Sequence, residues 1–310
     1  MKYRYEFNKM GKVSLIGFGA WQLGNKSNWD GPDFDEGIAL VKKAYENGIN
    51  FFDTAPNYGD GNSELILGEA LKSVRKNVFI NTKIGHGPDG AYEFTEEGIK
   101  KSIERSLHKL QTNYLDSVIL HNPERYILEG KTSLFRKLEE YKKEGVIHKY
   151  GVSIDTLEEA KIVLDNLNVD TIEIMFNIIH QEPKYIFQKI KEKNIFLIIK
   201  VPLDSGWLTG KYDEHSIFTG IRERWTQEAI KTRAEIISRI KKILNTEELT
   251  APALKFISEF EAVSTIIPGM RTQEQLLLNA SSLDYPLSNT EMNALQAFYD
   301  EFIKYANVPW

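Results

Sequence analysis

SLIGFGAWQLG, residues 14–24, opens as an apolar run and closes on small residues as the chain turns polar. Runs of the same kind recur at INFFD (49–53), VFINTK (78–83), SVILH (117–121) and KYGVS (149–153). Three more follow, TIEIMFN (171–177), IFLIIK (195–200) and VSTIIPG (263–269). They are rich in Ile, Val and Phe and barely alternate, which is the pattern of strands buried on both faces of a parallel sheet. Between them apolar residues return every three to four positions. FDEGIALVKKAYEN (34–47) sets Ile38, Val41, Ala44 and Tyr45 on one helix face. Residues 95–110 do the same and start with Thr95, Glu96 and Glu97, acidic charges that suit a helix N-terminus. Residues 137–143, 157–167, 183–193 and 227–244 continue the series.

Eight strand–helix units fit two α/β architectures, a (β/α)8 TIM barrel and a doubly wound open sheet. The opening stretch separates them. A doubly wound dinucleotide fold places GxGxxG after its first strand, whereas GFGAWQLG (17–24) has GxG without the third glycine in place. No acidic residue follows a second strand at the usual distance either. The reading is therefore a barrel, one domain over 1–310, with a loop insertion after strand seven (204–226) and a C-terminal tail (289–310) that begins as a helix.

Composition narrows the function classes. Of 310 residues 42% are hydrophobic and 27% charged, with a net charge of −5, so a general nucleic-acid binder, which needs a basic face, is disfavoured. No run approaches the roughly 20 apolar residues of a membrane span, and MKYRYEFNKMGKV lacks the apolar core of a signal peptide. There is no cysteine, which removes disulfides and thiolate chemistry and fits a cytoplasmic protein. With six His and no HExxH spacing, no metal site is expected.

In a barrel the chemistry sits where strands end. Strand two ends in Asp53 with Tyr58 just beyond it, strand three in Lys83, strand four in His121 and strand five in Ser153. A phenol is a poor acid at neutral pH; an ammonium beside it favours phenolate and lowers its pKa, and Lys83 can supply that charge. Asp53 can hold Lys83, and His121 can hydrogen-bond an oxygen that gains negative charge. Taken singly, Asp53 and Lys83 read equally well as a structural ion pair, and Tyr58 or His121 as a loop residue; it is the set of four that points to a proton donor aimed at a carbonyl oxygen. The set has no hydride source, which only a cofactor brings. His86 and His108 read as structural or solvated, and Trp207, Trp225 and Trp310 as loop packing.

GFGAW, FFDTAPNYG, INTK, LHNP, GVS, VPLDSGWLTGKY and IPGMRTQEQLLLN, in this order from about residue 10 to 285, resemble the successive motifs of the aldo-keto reductase superfamily. The resemblance implies a barrel that binds NADPH, or NADH, extended and without a Rossmann unit, and that reduces an aldehyde or ketone. It implies Tyr58 as general acid with Asp53, Lys83 and His121 as partners. It further implies Gly19, Ala20, Trp21 and Asp53 bordering cofactor and substrate, and Ser153 at the nicotinamide carboxamide. Pro202, Leu203, Ser205, Gly206 and Lys211 fall along the pyrophosphate, and Gly269, Arg271, Gln275 and Asn279 around the adenosine end. Arg271, placed in the first turn of a helix, suits a 2′-phosphate. The chain departs from the family's pattern at Ile154, Glu173, Lys200 and Leu278, where Asn, Gln, an aromatic and an acidic residue are common; Glu173 and Lys200 suggest a pair with one another. Two other readings stay open. One is a nucleotide-binding regulatory or sensor subunit on the same barrel; the other is an aldolase or lyase using Lys83 as a Schiff-base nucleophile. The substrate is expected to be set by the 204–226 insertion, the loops 85–94 and 121–131 and the tail, whose Tyr92, Phe94, Tyr126, Trp207 and Trp225 with Arg125, Arg222 and Arg224 suit an aromatic, sugar-like or anionic ligand without choosing among them. The oligomeric state is not legible here.

Overall fold

The structure is a computed structural model that describes residues 1–6, 11–306 and 308; Trp310 lies outside them. A short antiparallel hairpin, Tyr3–Glu6 with Lys12–Ser14, precedes the barrel. Eight parallel strands then follow in sequence order. They are β1 (Phe18–Gly19), β2 (Phe51–Asp53), β3 (Phe79–Ile84), β4 (Ser117–His121), β5 (Tyr150–Ile154), β6 (Thr171–Met175), β7 (Phe196–Lys200) and β8 (Thr265–Ile266). The ring closes between β8 and the approach to β1. Gly17 N–H donates to Ile266 O at 2.7 Å, Ile266 N–H to Leu15 O at 2.9 Å and Gly19 N–H to Pro268 O at 3.1 Å. The (β/α)8 barrel read from the apolar runs is the observed fold.

Each strand is buried on both faces because one face lines the barrel and the other meets helices. The inward phase carries Phe51, Phe79, Phe196, Ile198 and Ile267, which form their own cluster with Val13. The outward phase, with Phe52, Ile80, Leu197 and Ile199, joins the larger core beneath the helices. Those helices are α1 (Phe34–Glu46), α2 (Asn62–Leu71), α3 (Glu96–Lys109), α4 (Leu134–Lys143), α5 (Leu157–Asn166), α6 (Phe187–Glu192), α7 (Gln227–Leu244), α8 (Thr250–Ser258) and α9 (Gln273–Ser281), with α10 (Asn289–Glu301) in the tail. Asp33 with Glu36, and Thr156 with Glu159, close reciprocal capping boxes at the starts of α1 and α5. Thr95 caps α3, its hydroxyl accepting from Gly98 N–H, and Glu96 and Glu97 lie in the first turn as their sequence implies. Among the described residues no helix is long and apolar enough to cross a membrane.

Candidate active site

Strand phase decides which side chains enter the barrel. Alternate residues share a face, so Asp53 follows Phe51 inward and Lys83 follows Phe79, with Asn81 between. Pairing across strands then sets Asp53 beside Asn81, His121 beside Ser153 and Ser153 beside Glu173. This polar layer caps the apolar cluster below it.

Lys83 is the centre of the layer. Its ammonium is 2.5 Å from Asp53 Oδ1 and also donates to Thr54 O at 3.2 Å. Asn81 Nδ2 donates to Asp53 Oδ2 at 2.7 Å, so both carboxylate oxygens of Asp53 are engaged. The ammonium lies 5.1 Å from the Tyr58 ring centroid. The Tyr58 ring in turn packs 5.9 Å from Trp21 and edge-on to His121 at 6.1 Å. Tyr58 starts a 3-10 turn after β2. The next residue, Gly59, has φ +56°, and a Cβ there would sit 2.6 Å from Leu23 O. Only glycine lets the chain turn this tightly against the β1 loop and present the phenol to the cleft.

The electrostatics depart from the sequence expectation at one point. Lys83 does not bring the Tyr58 phenol below its ordinary range. Burial raises the phenol's pKa, Lys83 pulls against that, and the charges of Asp53 and Glu173 reinforce the rise. Burial opposes the Lys83 ammonium, yet Asp53 and Glu173 outweigh it and hold the ammonium charged well beyond neutral pH. Burial and then Glu173 push the Asp53 carboxyl up, to about 8, with Lys83 working against them. His121 is held well below 6.5, first by burial and then by the charges of Lys83, Lys200 and His86, so its ring is neutral at pH 7.

The suggested pair of Glu173 with Lys200 does not form. Glu173 Oε2 lies 3.4 Å from Lys83, and Lys200 pairs with Asp155 at 2.8 Å. The two groups meet only through Ser153, whose hydroxyl donates to Glu173 Oε1 and accepts from Lys200, each at 2.9 Å. Ser153 is thereby enclosed, and neither it nor Ala20 lines the cleft; Ile154 is fully buried.

One cleft at the strand ends is lined by Asp53, Tyr58, His121 and Lys200 together with Gly19, Trp21, Pro202, Leu203, Ser205, Gly206, Lys211, Gly269, Arg271, Gln275 and Asn279. Arg271 is not in a helical turn: α9 begins at Gln273 with Thr272 as its cap, because the Thr272 hydroxyl accepts from Gln275 N–H. Instead Arg271 N–H donates to Gln275 Oε1 at 2.8 Å and its guanidinium reaches Trp29 O. Trp29, Gln22 and Tyr212 line the cleft without having been legible as site residues, and Arg222, read from the insertion as a substrate-side residue, lines it with them. Arg222 stands 5.4 Å over the Trp29 ring and bonds the Tyr212 hydroxyl, joining the insertion to the loop after β1. Trp207 and Trp225 do pack within the insertion, on Tyr212 and Phe218, and are buried. His108 is exposed on α3, while His86 stacks edge-on with His121 at 5.7 Å.

Comparison with known proteins converges on one family. The model of the Aldo/keto reductase family matches residues 15–300. L-galactose dehydrogenase of Arabidopsis thaliana is 30% identical over 284 residues, covering 88% of this chain and 85% of that protein. The NADH-specific methylglyoxal reductase of Escherichia coli is 26% identical over 309 residues, covering 92% and 94%. An aldo-keto reductase from Bacillus halodurans in its holo form superposes with a TM-score of 0.80 at 26% identity, over 100% of this chain and 97% of that one.

Proposed function

The chain belongs to the aldo/keto reductase family, and from that premise we propose that it reduces an aldehyde or ketone to an alcohol with NAD(P)H, Tyr58 delivering the proton. The observation that carries this reading is the meeting of Asp53, Lys83 and His121 around the Tyr58 phenol, at the cleft that the expected cofactor residues other than Ala20 and Ser153 line.

The residues present fit a dinucleotide. Lys211 and Arg271 bring positive charge to the cleft for phosphates, and Asn279 brings a buried amide nitrogen with no hydrogen-bond partner. A bound nicotinamide supplies the hydride; the protein's groups handle the oxygen. His121, neutral, keeps an N–H for the carbonyl oxygen. Tyr58, like any phenol, carries its proton at neutral pH, and its raised pKa extends this to alkaline pH. An alkoxide is a far stronger base than a phenolate, so even a weakened phenol protonates it. The phenolate left behind forms beside the Lys83 ammonium.

The names of the two curated relatives suggest small oxygenated carbonyls, sugars and dicarbonyls, as the first panel, each tried with NADPH and NADH. Tyr58→Phe keeps the ring and loses the proton, so kcat should fall by about 10²–10⁴-fold. Undiminished turnover in that variant would remove Tyr58 from this role. Tight NADPH binding with no turnover on the panel would favour the regulatory or sensor reading.

A further inference from the structure

Lys83 faces a second carboxylate from across the barrel. Glu173 is on β6, which shares no ladder with β3. Even so its Oε2 lies 3.4 Å from the ammonium that Asp53 holds at 2.5 Å. All three side chains are shut off from water, with 3% exposure or less. We propose that Glu173 is a positioning residue for Tyr58: with Asp53 it clamps Lys83 between two carboxylates, so that less of the ammonium's charge is left to favour phenolate at the ring beside it.

The inference rests on the reading of Tyr58 as proton donor and asks what sets its readiness. An ammonium alone beside a phenol stabilises phenolate. Above the Asp53 value of about 8, where the phenol itself titrates, Lys83 and two carboxylates sum to one negative charge, and a phenolate would add a second within the same buried layer. The phenol is thus the better occupant. The groups facing Tyr58 are Asp53 from β2, Lys83 from β3, His121 from β4 and Glu173 from β6, with the Trp21 ring after β1. Behind His121 stand His86 and Lys200, and the Lys200 charge is held by Asp155. If Glu173 only filled space and accepted from Ser153, a glutamine would serve as well.

The test reads Tyr58 directly, in protein carrying ¹³C at the hydroxyl-bearing ring carbon of tyrosine. The Tyr58 resonance is identified by its absence in Tyr58→Phe. In the unsubstituted protein it should titrate above the ordinary value of about 10. Glu173→Gln should lower that midpoint by about one unit, while Glu173→Asp, which keeps the charge, should leave it near the unsubstituted value. In turnover the alkaline fall of the reduction rate should move down by the same amount. Oxidation of the product alcohol near neutral pH should gain about tenfold.

An unmoved Tyr58 midpoint in Glu173→Gln would overturn the proposal, as would a change confined to the KM for cofactor. A Tyr58 midpoint at or below 10 in the unsubstituted protein overturns it too, even if the Gln variant does not fold. A protein that reduces no carbonyl refutes the reductase reading alone, since the titration still decides the role of Glu173.

Discussion

Lys83 is the residue on which the site turns, and removing its charge separates stability from chemistry. In Lys83→Met the Asp53 carboxylate keeps Asn81 as a donor but loses its cation beside Glu173. Leaving buried charge uncompensated costs about 3–5 kcal/mol, which urea unfolding would read. The sign with pH follows from the Asp53 carboxyl, whose folded pKa is already raised, to about 8, by burial and Glu173. A raised carboxyl favours folding below its unfolded pKa near 4 and loses that contribution as pH rises through the folded value. The variant should therefore be least stable at pH 9 and recover towards pH 5; a deficit constant with pH would contradict this. A second residue test concerns the cofactor. Arg271→Ala should raise the KM for NADPH about tenfold and leave that for NADH nearly unchanged, because a guanidinium matches the 2′-phosphate that only NADPH carries. Asp53, Tyr58, Lys83 and His121 were legible because each closes or follows an apolar run. Asn81 was within reach, being in phase with Lys83 on the same strand. The contact of Glu173 with Lys83 was not, since it spans two strands that meet only across a closed barrel.

At the scale of elements, strands buried on both faces announce themselves, and helices with one wet face nearly so. Helix α2 escapes that reading because polar Ser63 and Glu64 face inward. Ser63 bonds Thr54 and Glu64 bonds Thr82, so the apolar spacing is broken where the helix is most buried. The insertion after β7 has a similar hidden anchor. Asp204 and Arg233 are fully buried and paired at 3.1 Å, tying the start of the insertion to α7, with His180 Nε2 3.3 Å from the other oxygen of Asp204. Burial alone would raise the Asp204 pKa, but His180 and Arg233 outweigh it and bring it to about 2. A depressed carboxyl stabilises the fold above its unfolded pKa and loses that contribution as pH falls through the folded value. From pH 4 to 2 this group should withdraw about 2 kcal/mol. Asp204→Asn should start weaker at neutral pH and lose less over that interval, as denaturant midpoints at the two pH values would show. Equal losses in both proteins would place the acid sensitivity elsewhere.

For the whole molecule the decisive event is closure. The ladders run unbroken from β1 to β8, and the seam between these two, both only two residues long, is held by a few backbone bonds. The count of eight units predicted a ring, but the closeness of the seam was not legible, because it depends on the approach of segments some 250 positions apart in sequence. Gly19 shows how close it is. Its backbone is ordinary, φ −79°, so its smallness is needed for space alone. A Cβ there would stand 2.7 Å from Ile267 O and 3.1 Å from Pro268 O. Backbone cannot swing aside as a side chain does, so Gly19→Ala must spread the seam or bend β1, at a cost of about 1–3 kcal/mol. Gly19 also lines the cleft beside Trp21, so the same spreading should widen the wall where the cofactor is expected to lie. Thermal unfolding and NADPH fluorescence titration on one preparation measure both effects, and they should fall together. Loss of stability with unchanged NADPH affinity would mean that the seam carries the barrel but not the cleft. An unchanged melting temperature would mean that the ring tolerates opening at its narrowest join.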